Sequence, residues 1–416
     1  MPAPKIVIIG AGPSGLLLAR LLQVNSIPCI IYEAEPSPHV RNQGGTLDLH
    51  PRAGQAALKA AGLYDEFLKH SRPEGEAMKL IKPDGSVLWD DNPIVTSQAT
   101  QSELDGEGRD RPEIDRVKLR DMLLSSLEEE TVRWGKKIMR VEPDPSTRGK
   151  HTIVFADFTT DTSIDLLVGA DGAWSKVRPL LTHERPFYSG ITTIELWALD
   201  VDAQNPWLSE YIGKGSCFMF DEGRALQCQR QGTGAVRAYA SLRVPEGWLD
   251  DCGIDFLNSQ GTTRQEMIDK YWSDCSADVK RVILSAKDEL IPRKLYMLPV
   301  GIQWKSKLGV TLLGDAAHLM TPFAGVGVNV ALADAMDLAK AIVRRKESVV
   351  AKARSDLYNI GVAVEEYEKE MSERGRMNAE KTRKNLGLHF SERGGEEMAA
   401  RLKAHAEVAK ARANGR

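Results

Sequence analysis

At 416 residues the chain exceeds one ordinary hydrophobic core, so two interlocked lobes are expected. Hydrophobic residues make up 42% and charged residues 27%, a globular balance that excludes a disordered or fibrous chain. With 55 basic against 58 acidic residues the net charge is −3, which argues against nucleic acid or any other polyanionic partner.

The five cysteines (Cys29, Cys217, Cys228, Cys252, Cys275) are scattered and never in CxxC spacing. Neither a disulfide framework nor a zinc site is expected, and no metal is assigned. The first apolar run begins at Ile6, so no signal peptide is expected, and no apolar run matches a membrane span. The expectation is a soluble, cytoplasmic protein without a membrane partner, a monomer or weak dimer.

In chain order, Ile6 to Ile9 is fully apolar and β-branched or similar, as suits a strand buried on both faces of a parallel sheet. Gly10-Ala11-Gly12-Pro13-Ser14-Gly15 follows. In this pattern Gly10 permits a tight turn, Gly12 lets the backbone approach a pyrophosphate, and Gly15 allows close helix–strand packing. Pro13 suits a helix start, and the free N–H groups there favour a phosphate. Leu16 to Leu22 reads as helix and Cys29 to Tyr32 as the second strand. Glu33 lies 18 residues beyond Gly15, where a carboxylate can accept hydrogen bonds from a ribose. Together these features predict dinucleotide binding.

Residues 41–48 form a loop with paired Gly44 and Gly45, and residues 51–70 read as helix broken near Gly62. Residues 96–112 are polar and read as a surface loop. Leu119, Leu123, Leu124 and Leu127 mark one apolar helix face. Strand-like alternation over 132–168 runs into Asp171-Gly172. Residues 185–292 read as strands and turns, a sheet-rich second lobe. From 308 the first pattern returns, with a strand at Val310 to Leu313 and a helix from about 326. The tail beyond about 362 is rich in charge and reads as helix with a mostly solvated face.

Two further segments complete a constellation: Gly169-Ala170-Asp171-Gly172-Ala173-Trp174-Ser175-Lys176-Val177-Arg178, and Gly314-Asp315-Ala316-Ala317-His318 running into Pro322-Phe323-Ala324-Gly325-Val326-Gly327-Val328-Asn329. With the glycine turn, these resemble the three signatures of single-component (class A) flavoprotein aromatic hydroxylases. Within that group the chain is most similar to the tetracycline-inactivating flavin monooxygenases, through Gly44 to His50, Glu113 to Arg116 with Leu119-Arg120, and Gly314 to Met320.

The resemblance implies an α/β fold: a Rossmann-like FAD-binding lobe (1–73, 112–183 and 294–350), an inserted sheet-rich substrate lobe (74–111 and 184–293) and a C-terminal helix (351–416). It implies FAD as cofactor and NADPH as reductant, with a small-molecule substrate and O2. The flavin, reduced by hydride and carrying a C4a-hydroperoxide, then delivers one oxygen to an electron-rich aromatic, enol or polyketide-like substrate. The cofactor carries the chemistry, so no catalytic side chain is assigned.

Cofactor contacts are expected from Gly10, Gly12, Gly15, Glu33, Gly45, Asp48, Arg116, Asp171, Asp315, Gly325, Gly327 and Asn329, and NADPH contact from Arg41. Helix-end amides near Gly325 and Gly327 would favour negative charge on a reduced flavin. Asp171-Gly172 also reads as a plain strand-to-helix turn, and Asp315 as a helix cap. His318, Met320 and Trp174 read as packing. On the substrate side stand Glu195, Arg237 and Phe323, the first two replacing a Gln and a His of the tetracycline enzymes and presenting different charges, so a different specificity is expected. Val326 stands where the family commonly has Gln. Alternatives on the same scaffold are a flavin reductase or a Baeyer–Villiger oxygenase; a non-catalytic binder of the Rab GDP-dissociation-inhibitor type need not keep Asp315 and the glycine pair after it.

Overall fold

The computed structural model describes residues 4–40, 44–92, 110–256, 261–286, 290–352 and 356–414. The doubly buried apolar runs assemble into one five-stranded parallel sheet. Its order is Val310–Leu312, Leu166–Gly169, Ile6–Ile9, Cys29–Tyr32, Val132–Arg133. Every residue of Ile6–Ile9 and Leu166–Gly169 is buried, as required when both faces of a sheet are covered. Helices Pro13–Val24 and Gly327–Lys352 pack against each other beside it.

Register then sets the site. Ile9 lies opposite Gly169, and Gly169 opposite Leu312. The turns after these strands carry Gly10, Asp171 and Asp315, so three segments far apart in sequence leave the sheet at one end. That carboxyl end is where open parallel sheets bind ligands.

A seven-stranded sheet lies apart from the first, in the order Ile291–Met297, Phe187–Ala198, Val236–Arg243, Arg224–Arg230, Ser216–Asp221, Met78–Ile81, Val87–Asp90. One face is a dry core in which Ile194, Leu196, Met219, Leu226 and Ala240 meet Met267, Trp272, Val279 and Ile283. Those last residues come from helices Thr263–Tyr271 and Ala277–Ser285 and the turn after the first of them. The strands-and-turns reading of 185–292 therefore needs correction. Val279, Val282 and Ile283 are spaced three and four apart and bury one helix face, a short signal among many apolar residues.

The C-terminal reading also changes. The tail is two helices, Asp356–His389 and Gly394–Asn414. Ile360, Ala363, Val364, Tyr367 and Met371 sit in the core of the parallel-sheet lobe. Their charged neighbours conceal a narrow apolar stripe at helical spacing. The last helix rests on the Ser216–Asp221 side of the large sheet. Among the described residues no helix is long and apolar enough to cross a membrane, and no group of side chains is arranged to hold a metal.

Candidate active site

The glycine turn divides its labour as the spacing suggests. Gly10 has φ +104°, and a Cβ there would lie 2.5 Å from the Ala170 carbonyl oxygen. A Cβ on Gly15 would overlap the Gly10 carbonyl. Gly12 differs: nothing lies within 4 Å of its missing Cβ, so open space remains beside a helix N-terminus. Glu33 is drawn to this turn, its carboxylate accepting from the Ala11 N–H at 2.6 Å and the Glu35 N–H at 3.0 Å. Buried Arg120 braces the same turn by donating to the Ala11 carbonyl at 3.2 Å and to Glu35 at 2.7 Å.

At the second turn Asp171 Oδ2 accepts from the Lys176 N–H at 2.6 Å, so the plain-turn role is real. Its Oδ1 is buried without a partner, and burial pushes its carboxyl above the ordinary range. At the third turn Asp315 opens the short helix Asp315–His318 but makes no capping bond; Gly314, with φ +57°, occupies the cap position. The Asp315 side chain is exposed although protein surrounds it on most sides, as on the wall of a deep cleft. That enclosure raises its carboxyl, opposed by His318, Arg116 and Arg178.

Two buried groups hold these turns, and sequence reasoning did not single out either. Arg178 donates to the carbonyls of Ala316 at 2.7 Å, Asp315 at 3.2 Å and Ala173 at 2.9 Å, joining the second turn to the third. Asp334, fully buried, accepts from the Gly314 N–H at 3.0 Å, from His318 at 2.5 Å and from Arg374 at 2.9 Å. His318 is thus a held core residue, as expected. Trp174 is not: it is 61% exposed.

Opposite the sheet end, Gly325 has φ +63°, and Asp48 Oδ1 lies 3.7 Å from where its Cβ would be. Gly327 starts the long helix with open space beside it, so Gly325 precedes the helix rather than opening it. Asp48 pairs with His50 at 3.0 Å. The Asn329 amide accepts from the His50 N–H at 2.8 Å and donates to the Asp48 carbonyl at 2.8 Å. The Asn329 side chain thus holds the loop that carries Asp48. Gly45 donates to Gln231 at 3.1 Å and accepts from the Arg116 N–H at 2.9 Å, tying this loop to the large sheet. Burial holds the Arg116 guanidinium below its ordinary range. Arg41 lies outside the described residues.

The second face of the large sheet turns toward these loops. Register aligns Phe218 with Gln227, Gln227 with Tyr239, and Tyr239 with Glu195 across four strands. Phe218, Gln227 and Tyr239 are half-buried, while Cys217, Met219, Leu226, Cys228, Ala238 and Ala240 on the other face are buried. Glu195 is buried and shared by Arg237 and Arg293, each at 2.5 Å. It offers no free charge to a ligand, which corrects that expectation. Arg237 keeps Nε and Nη1 without partners, and lies 4.6 Å from the Trp197 ring centroid and 5.3 Å from that of Tyr239. Phe323 is corrected too. It is buried in a cluster with Phe220 and Phe390, its ring edge-on to Phe390 at 5.3 Å, and so packs rather than lining the cleft.

Three turns leave the sheet at one end around an open glycine cradle, which fits a dinucleotide, and the family match makes the chain a flavoprotein of the class A monooxygenase type. Residues 4–359 match the FAD binding domain family, to which the chain belongs. It is 33% identical to the monooxygenase asqM of Emericella nidulans, over 95% of this chain and 98% of that protein. Among solved structures it is similar to Klebsiella pneumoniae HpxO complexed with FAD and uric acid, with a TM-score of 0.73 at 22% identity, covering 96% of this chain and 93% of that one. It is also similar to the tetracycline destructase Tet(51), with a TM-score of 0.63 at 17% identity, covering 99% and 95% of the two chains.

Proposed function

We propose that the protein is an NADPH-consuming FAD monooxygenase that places one atom of O2 on an electron-rich aromatic, enol or polyketide-like small molecule. When bound, FAD supplies hydride acceptance and oxygen activation. The observation that carries the reading is the shared exit of the Gly10, Asp171 and Asp315 turns from one sheet end.

The chain's own groups fit that cofactor. The space beside Gly12 accommodates a pyrophosphate at the helix N-terminus, and Glu33 is placed for a ribose. Asp315 presents an exposed acceptor, and the helix start at Gly327 has open space beside it. Asp48 and Arg116 border the same loop junction. The Phe218 and Tyr239 rings and the Gln227 amide offer an aromatic wall with few polar groups, as ligand sites usually do. Residues 74–111 and 184–293 supply this substrate side, and 1–73, 112–183 and 294–350 the cofactor side. Both Glu195 oxygens are occupied by arginines, which supports a specificity other than tetracycline.

Asp315→Ala tests the reading. The wild type is expected to purify yellow or to take up FAD at about one per chain, and the variant to retain less. A wild-type protein that binds no FAD overturns the proposal; a variant with unchanged FAD content overturns the role of Asp315.

A further inference from the structure

Alternation along two paired strands of the large sheet puts Glu195, Trp197, Arg237 and Tyr239 on the face opposite its dry core. Their chain neighbours Ile194, Leu196, Ala238 and Ala240 all lie in that core. The side chains of Arg237 and Glu195 are only 8% and 7% exposed, and Arg237 gives Nη2 alone to the pair. Its Nε and Nη1 are buried without a partner. A Cβ on Gly44 would lie 2.8 Å from Nη1 and one on Gly45 3.4 Å, so the unmet nitrogen lies against the loop whose Gly45 carbonyl accepts from the Arg116 N–H. The guanidinium also lies over the rings of Trp197 and Tyr239, contacts that hold it in place without using its donors.

The charges at this corner do not balance. Glu195 carries one negative charge and serves two guanidiniums, buried Arg237 and the 54% exposed Arg293. Arg116 is close enough to Asp315, Arg237 and Glu195 for their charges to act on it, which sets the corner beside the cofactor cleft. The Arg116 guanidinium has no ion-pair partner among the described residues. A buried cation with two unmet donors is costly until an acceptor meets them. An anionic oxygen supplies both the acceptor and the missing charge. A neutral carbonyl supplies only the first, and a cation supplies neither.

We propose that Arg237 determines specificity by taking an anionic oxygen of the substrate, a carboxylate or an ionised enol, onto its unmet donors, while Arg293 and Glu195 hold it from the other side. The proposal rests on the monooxygenase reading above and names the chemical class of its substrate.

The test is titration calorimetry at neutral pH on FAD-loaded wild type, R237Q and E195Q, with probes in matched pairs. A dihydroxybenzoate against its amide probes the carboxylate, and an acidic hydroxycoumarin against its methyl ether probes the enol. In wild type the charged member of at least one pair should bind roughly tenfold more tightly, as one charge-assisted hydrogen bond predicts, and the pair that shows it names the oxygen. R237Q should bring that ratio within about twofold, with the neutral member bound as before. E195Q frees both guanidiniums, so it should bind the charged member several-fold more tightly than wild type does. Opposite effects in the two variants are what a merely structural ion pair would not give. Should R237Q fail to fold, E195Q decides, and weaker binding of the charged member there overturns the proposal. Equal binding of charged and neutral members by FAD-loaded wild type overturns the role of Arg237 and leaves the monooxygenase reading intact, and so does an R237Q effect confined to FAD content. A wild-type protein that takes up no FAD overturns the underlying reading and the proposal with it.

Discussion

The guanidinium of Arg178 donates to the main-chain carbonyl of Asp315 at 3.2 Å, although the two residues lie 137 positions apart. Arg178 is 3% exposed and spends its donors on carbonyls of both turns. It sets the spacing between Asp171 and Asp315, and hence the shape of the cleft wall they share.

Arg178→Met should therefore cost stability and cofactor together. The change leaves several buried carbonyls without a donor, at about 1–3 kcal/mol each at most. Thermal unfolding should move down by several degrees, and FAD should dissociate more readily. A variant with wild-type melting and wild-type FAD affinity would show that the bridge is incidental.

The glycines separate folding from binding. Gly10→Ala and Gly15→Ala should each lose more than about 1 kcal/mol of stability, since a Cβ meets backbone at both. Gly12→Ala should unfold within about 0.5 kcal/mol of wild type but bind FAD more weakly, because its Cβ enters the open space. Denaturation and FAD titration of the three variants check this; equal loss of stability in all three contradicts it.

Glu113 should make stability pH-dependent in the alkaline direction. It lies on the strand paired with Thr46–Asp48 and accepts from Thr46 Oγ1 at 2.6 Å. Burial, then the nearby Asp48 charge, pushes its carboxyl up to about 8. The folded state thus holds a proton that the unfolded chain releases at its lower, ordinary value. The stabilising effect is full below that ordinary value and is lost as pH rises through about 8. Glu113→Gln, which stays neutral, should lose less stability than wild type as pH climbs to about 8.5, and parallel curves would refute the assignment.

His389 gives the opposite slope. It stacks on Phe220 at 3.9 Å with both ring nitrogens buried and unpartnered, and burial lowers its pKa to about 4. The unfolded chain binds a proton near the ordinary value of about 6.5 that the folded state refuses until pH falls to about 4. Stability should fall across that window. His389→Phe keeps the stack and removes the titration, so it should be the more stable protein at about pH 5. Urea unfolding at two pH values decides.

The parallel sheet was legible because doubly buried strands leave unbroken apolar runs such as Ile6–Ile9 and Val310–Leu312. The glycine turn was legible because close backbone approach admits few residue types. The bridges were not. Nothing in the local sequence of Asp334 distinguishes it from a solvated helix acid, since its partners Gly314 and Arg374 come from other segments. Glu195 and Arg237 stand out in the sequence only as two substrate-side residues; antiparallel register, which sets Tyr239 against Glu195 and Arg237 against Trp197, brings them into one ion pair. Phe323 was misplaced because an apolar residue beside a flavin motif reads alike whether it lines a cleft or closes a core.

The central claim is oxygen transfer, and labelled oxygen tests it most directly. FAD-loaded protein given NADPH, heavy O2 and a panel of phenols and polyketide-like enols should yield, with the substrates it accepts, a product heavier by one labelled oxygen atom. NADPH should be consumed in step, and turnover should cease without O2. Label arriving from water instead, or steady turnover without O2 to a product of unchanged oxygen content, would contradict the account.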